Sequence, residues 1–285
     1  MTDKQNIERI MAYMKDFPPS LHSYNRLEEA MKNPYSEIRI IHNIIEEDRY
    51  ISVKILRTVN SQAYHLESKI NTISQAIFKL GINEIKNLYL LFSIIKEFDN
   101  YIPKRDFSIH DFWEHAFAVG VISRILGKTI GLRNLEDFFF EVVIHDLPRL
   151  VYNIFIPCDF SASEDITGAK HISLMENETK EYNLFHTYFL DFLTNKWTFP
   201  ERFVNVLKYY SIGLIDGKKD YLVGSVHLAH DLAHILKLGC SEENPIPEPN
   251  ISIWNYMHLT SEIFFNTYPN ITKDFNCSAS ILKIA

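Results

Sequence analysis

Histidines and carboxylates in this chain fall on four separate predicted helices. His115 follows Trp113 in FWEHAFAVGVISRILG, His145-Asp146 ends the apolar run of EVVIHDLPRLV, His186 opens a helix in FHTYFLDFLTNKW, and Asp231 sits in VHLAHDLAHIL. One inward ligand per helix is a common way to build a metal site in a bundle core. Imidazoles mixed with carboxylates suit a borderline divalent metal: iron, manganese, zinc or nickel. Adjacent helical residues diverge by about a quarter turn, so His145 and Asp146 reach one ion only where their helix ends. Pro148 predicts an end there, at Asp146-Leu147. The competing reading is structural: Asp146 accepts a hydrogen bond from His115 or from a backbone donor and fixes the packing of two helices. His186 alone reads as a histidine at a helix start. His227 and Asp231, or His230 and His234, are each four apart and could chelate an ion by themselves. With twelve histidines in the chain such spacings arise by coincidence, and the structural reading is preferred there.

Other chemistries lack their residues. Gly127-Lys128-Thr129 looks like the tail of a phosphate loop, but the leading glycine would fall on Ile122, and no strand precedes it. Nine glycines in the whole chain leave little for a phosphate cradle. No Gly-x-Ser-x-Gly elbow occurs, and no cysteine has a histidine partner in sequence. Cys158, Cys240 and Cys277 are scattered, odd in number and form no CxxC pair, which fits a reducing cytoplasm and offers no thiolate site.

The elements that must hold these residues are helical. SEIRIIHNIIEEDRYISVKILRTV (36–59) repeats Ile38, Ile41 and Ile45 at spacings of three and four. ISQAIFKLGINEIKNLYLLFSII (73–95) reads as two helices, with Gly81 stopping the first and Asn83 capping the second. Residues 112–131 predict one long amphipathic helix with Phe117, Val121 and Ile125 on a stripe, and 135–147 a buried one. In the first of these, Gly120 marks a close helix contact, because a mid-helix glycine costs about 1 kcal/mol against alanine. Asn60-Ser61 closes one helix and caps the next turn. Phe138, Phe139 and Phe140 in a row cannot all face one core, so this helix buries a second face. Further helices are predicted at 178–195, 200–209, 219–238 and 252–267. Pro18-Pro19 and Asn33-Pro34 end early helices, and SEENPIPEPN (241–250) is a connector. No stretch shows sustained period-two alternation with turn pairs, so the fold class is all-α.

Length and charge bound the function. A chain of 285 residues can bury a substantial core, and its net charge of −7 argues against a nucleic-acid surface. The N-terminus, MTDKQNIERIMAYMKDF, has no basic-then-apolar leader pattern. The most apolar run, LYLLFSII (88–95), is far too short to span a bilayer. A cytoplasmic protein that binds neither nucleic acid nor membrane is expected.

The order His115, His145-Asp146, Asp231 resembles the H…HD…D series of the HD superfamily of metal-dependent phosphohydrolases. FPPSL (17–21), EEDRYISVKILRTVNSQAY (46–64), KINTISQAIFKLG (69–81), FWEHAFAVGVISRILG (112–127) and HTYFLDFLTNKWTFP (186–200) narrow the likeness. Together they look like an HDOD domain, the HD-related output domain of bacterial signalling proteins, over about residues 15–235. The resemblance implies an HD-like helical bundle over 101–240, an N-terminal helical lobe over 1–100 and a C-terminal helical extension over 241–285. It implies that His115, His145, Asp146 and Asp231 would hold a first divalent metal, His186 being a weaker fifth group. HD-GYP phosphodiesterases add a tandem His-His pair after the W-x-x-P segment, where this chain has Tyr209-Tyr210. They also follow HD with Gly-Lys, where this chain has Pro148-Arg149. Two tyrosines cannot replace two neutral imidazoles as ligands at neutral pH, so a two-metal displacement mechanism is expected to be broken.

The resulting expectation is a bacterial cytoplasmic signalling protein, a single-domain adaptor without an attached catalytic or receiver module. It would be non-catalytic and need no cofactor, acting on a protein partner in a signalling or motility pathway. His115, His145, Asp146 and Asp231 are expected to converge as a vestigial site. The alternatives are a metal-dependent phosphohydrolase, with water on the ion and Arg149 contacting phosphate, and a sensor of a small phosphorylated molecule in the same cleft.

Overall fold

The architecture was analysed in a computed structural model that describes residues 8, 10–14, 17, 21–33, 38–61, 64, 66–99, 101–103, 107–132, 135–156, 186, 188–190, 192–193, 197, 199, 201–239 and 250–282. Helices carry nearly all of it. The part expected as a first lobe holds α1 (His22–Lys32), α2 (Ile38–Glu47), α3 (Arg49–Val59), α4 (Ile73–Leu80) and α5 (Ile82–Phe98). After an extended stretch at 101–103 come α6 (Ile109–Thr129), α7 (Leu135–Val143), α8 (Leu147–Phe155), α9 (Glu201–Tyr209), α10 (Tyr221–Ile235), α11 (Ile251–Tyr256) and α12 (Ser261–Leu282).

Short polar side chains set where helices begin. The run 36–59 is two helices because Asp48 breaks it: its Oδ1 accepts from the Ile51 N–H at 3.2 Å and caps α3. Thr72, Ser108, Asp220 and Asn250 cap α4, α6, α10 and α11 in the same way. Gly81 ends α4 with φ of 88° and also stands before α5, which starts at Ile82, so Asn83 is inside α5 rather than its cap. Asn60 ties the end of α3 to Ile70: its amide donates to the Leu56 and Ile70 carbonyls at 2.7 and 2.6 Å, and its oxygen accepts from the Ile70 N–H at 2.8 Å. The helix expected at 252–267 is two, α11 and α12, separated by a turn in which His258 has φ of 55°. Most of 178–195, and Pro18-Pro19 and Pro34, lie outside the described residues.

One short hairpin departs from the all-helical pattern. Leu214–Ile215 (β1) pairs antiparallel with Lys218–Lys219 (β2). The turn between them is Asp216-Gly217, both with positive φ (48° and 76°), the backbone that a two-residue hairpin turn demands.

The core is continuous from Ile10 to Phe275 and crosses both lobes. Phe17 is the joint between them. Its ring stacks on Trp197 at 5.3 Å and meets Phe189, Phe155 and Phe98 at 5.4, 5.8 and 6.2 Å. In the second lobe α6 is the axis: α7, α10 and α12 pack against it, and its residues from Phe112 to Leu126 are buried except Glu114 and Arg124. Small residues let the neighbours come close. Ser123 on α6 and Ser225 on α10 share a buried hydrogen bond of 2.8 Å, while Gly120 lies under the rings and methyls of α7. Phe139 and Phe140 are both buried.

A Cβ at Gly120 would sit 3.0 Å from the Phe139 ring and from Val143 Cγ2. Gly120→Val should therefore destabilise the protein by about 1–3 kcal/mol through overpacking, read as a lower urea midpoint at unchanged slope.

Candidate functional site

The HD dipeptide sits in a break between helices. α7 stops at Val143, a turn spans 144–146, and α8 opens at Leu147 with Pro148 in its first turn. Proline suits that position because its missing N–H would be unpaired there anyway. The break comes a turn earlier than expected from sequence, since the Ile144–Asp146 turn separates the two helices. Turn bonds hold it: the His145 N–H donates to the Val142 carbonyl at 2.9 Å and the Leu147 N–H to Ile144 at 3.0 Å.

His145 is fully buried. Its Nδ1 donates to the Val142 carbonyl at 2.8 Å, and since a carbonyl only accepts, the proton is on Nδ1 and Nε2 carries a lone pair. That Nε2 is buried without a hydrogen-bond partner. Facing it are imidazoles from two other helices. His115 of α6 lies 5.9 Å from His145, 5.2 Å from His230 and 4.7 Å from His234, ring centre to ring centre. His230 and His234 of α10 are 4.6 Å apart, and His230 is 5.5 Å from His145. Behind His115, Leu238 receives its hydrogen bond through the backbone. Gly239, with φ of 69°, approaches so closely that a Cβ would fall 2.1 Å from the His115 nitrogen. The chain leaving α10 thus closes over His115.

Two overlapping sets of ligand atoms result. Those of His115, His230 and His234 all lie within 4.8 Å of one another, as do those of His145, Asp146 and His230. Asp231 belongs to neither. One residue on from His230, it has its Oδ2 3.6 Å from His227 Nε2 and its Oδ1 3.9 Å from His230 Nδ1, at the edge of the cluster. Burial raises the Asp231 carboxyl above its ordinary value, with His227 opposing. Of the four residues expected to converge, three do, and α10 contributes His230 and His234 in place of Asp231. The signal for this pair was in the sequence as the His230/His234 spacing of four. His186, half-buried, takes a hydrogen bond to the Leu207 backbone, and burial lowers its pKa against the pull of Asp146. It joins no ligand set among the described residues.

The paired tyrosines separate. Tyr209 points outward and donates to Asp216 at 3.0 Å. Tyr210 points inward: its hydroxyl donates to Asp146 Oδ1 at 3.0 Å, and its ring meets His145 edge-on at 4.9 Å. Asp146, 2% exposed, has Arg149 Nη1 at 3.8 Å from its other oxygen. A buried carboxylate is thereby offset by a phenol and a guanidinium.

Burial disfavours the charged form of three of these imidazoles. Burial, reinforced by the other histidines and Arg149, drives His115 and His230 well below the ordinary histidine value. Burial lowers His145 as well, opposed by Asp146 and the Val142 carbonyl. For a group whose pKa is depressed on folding, the unfolded chain binds the proton first as pH falls. The metal-free protein should therefore keep full stability above about pH 6.5. It should lose stability below that, each such histidine contributing up to about 1.4 kcal/mol per pH unit. Urea unfolding across pH 5–8 in chelator checks this, and His230→Gln should flatten the slope.

Comparison with known proteins places this geometry. The family model of the HDOD domain matches residues 17–212. An uncharacterized protein of Treponema pallidum (strain Nichols) is 21% identical over 250 residues, covering 87% of this chain and 47% of its own, so the chain spans under half of that relative. Among solved structures, an HDOD domain protein of unknown function from Geobacter sulfurreducens superposes with a TM-score of 0.74 at 15% identity, covering 97% of both chains. A candidate signal transduction protein of Marinobacter aquaeolei VT8 superposes with a TM-score of 0.71 at 13% identity, over 99% of this chain and 66% of that one.

Proposed function

Because the chain belongs to the HDOD domain family, we propose that it is a bacterial signal-transduction protein that works by binding a protein partner, without turning over a substrate. The observation that carries this reading is the Tyr210–Asp146 hydrogen bond inside a closed cluster. A displacement at phosphorus on paired ions needs carboxylates free to bridge them and open positions for water and substrate. Here one Asp146 oxygen is engaged by a phenol standing where the phosphodiesterases place an imidazole, and the other faces Arg149. His145 has no exposed surface and His115 has 4%, while His230 and Arg149 keep 23% and 27% of their side-chain surface at the edge. The fold of the Marinobacter structure, a candidate signal transduction protein, supports a signalling role.

The partner is a protein of a signalling or motility pathway, and the compartment is the cytoplasm. In support, no helix among the described residues is long and apolar enough to cross a membrane. Arg149, which keeps 27% of its side-chain surface at the edge of the cluster, favours a second reading in which a small phosphorylated molecule is sensed there without being cleaved.

Cyclic di-GMP incubated with the protein and iron, manganese or nickel under reducing conditions should remain intact. Turnover that His145→Ala abolishes would overturn the reading in favour of a phosphohydrolase. A partner recovered from cell extract should still bind Asp146→Asn at unaltered thermal stability. Loss of the partner with that change alone would point to the sensing role.

A further inference from the structure

The ligand set that an HD-type hydrolase would use does not fit this interior. Asp231 joins neither ligand set, its two oxygens lying 3.6 Å from His227 Nε2 and 3.9 Å from His230 Nδ1, and Asp146 accepts from Tyr210. What α10 brings inward is nitrogen. We propose that His115, His230 and His234 form a three-imidazole site for one late first-row divalent ion of the zinc class, with the buried Nε2 of His145 turned toward its fourth position.

Several independent features carry this. Three imidazoles from two helices already hold a ligand atom each within 4.8 Å of the others. Zinc–nitrogen bonds of about 2.0–2.1 Å in a tetrahedron put neighbouring nitrogens about 3.4 Å apart, so ordinary side-chain rotation can close the set. Metal-bound histidines normally donate their other ring N–H to a backbone carbonyl or carboxylate, which fixes tautomer and orientation. His145 does this with Val142 at 2.8 Å, and His115 is held by the Leu238 backbone. The buried Nε2 of His145, with no hydrogen-bond partner among the described residues, is a polar atom that an ion in the cluster would satisfy. An all-imidazole set selects zinc, nickel, copper or cobalt over magnesium, calcium and manganese, which prefer oxygen. An ion there would pin α6 to α10 and the HD turn, and so couple metal supply to the packing of the second lobe. The structure of the cluster makes this a holding site rather than a hydrolytic one.

The test uses the full chain with any polyhistidine tag removed, stripped with chelator and returned to metal-free buffer. Zinc should bind at one ion per chain by calorimetry and raise the melting temperature, while magnesium does neither. Cobalt(II) should give visible d–d bands of tetrahedral intensity without a thiolate charge-transfer band, and zinc should displace it. His230→Ala should weaken zinc binding by at least about tenfold, on the scale of losing a supporting ligand contact. His234→Ala, altering a partly exposed residue, should do the same and provides the second variant if His230→Ala does not fold. Asp231→Asn should leave the affinity within about twofold. Absence of stoichiometric zinc binding by the unaltered chain would overturn the proposal, and so would zinc binding lost with Asp231→Asn but kept with His234→Ala. Either result leaves the partner-binding reading standing, since recovery of a partner is measured separately.

Discussion

A helix with almost no solvent face constrains everything around it. α6 is surrounded by α7, α10 and α12, and its interior stretch is buried on nearly every side. Such a helix cannot rotate or slide without moving three others, because close-packed interiors do not deform smoothly. Its small residues set the spacing: Gly120 admits Phe139, and Ser123 meets Ser225 across the α10 contact. His115 lies on this axis, so its ring is positioned by packing over the helix's whole length rather than by local bonds. The same contact with α10 decides which α10 residues it can face.

The cluster is consistent with that constraint in its chemistry. Buried charge is costly unless paired, and the carboxylate of Asp146 has a phenol and a guanidinium as partners. The remaining groups are imidazoles, which can be buried as neutral donors and acceptors.

Most of the helices were legible because they follow simple rules, apolar spacing of three and four and a proline at the HD turn, whereas the caps at Asp48, Thr72, Ser108 and Asp220 emerged from the structure. Convergence of His115 with His145 and Asp146 was legible from their order on successive helices. The α10 contribution was not, because the difference between Asp231 and its neighbours His230 and His234 is one of helix phase. A single residue rotates a side chain by about 100°, and apolar periodicity in VHLAHDLAHIL leaves that phase open by more than this. The Ser123–Ser225 contact settles it, and that is a pairing between residues 102 apart. The hairpin was missed for a different reason: its strands are two residues each, too short for alternation to show, although Asp216-Gly217 carried the turn signal.

Phe17 has a consequence for how the chain reaches this state. Its partners Phe98, Phe155, Phe189 and Trp197 lie between 81 and 180 residues further along the sequence, so this joint can form only after several long loops have closed. Each closure must be entropically compensated by contacts that arrive late. The aromatic joint is accordingly a product of the final stage of folding, and the early helices, though local, gain their last partner from the far side of the chain. Assembly on the ribosome would then leave the first lobe with an uncovered aromatic face until Trp197 has emerged.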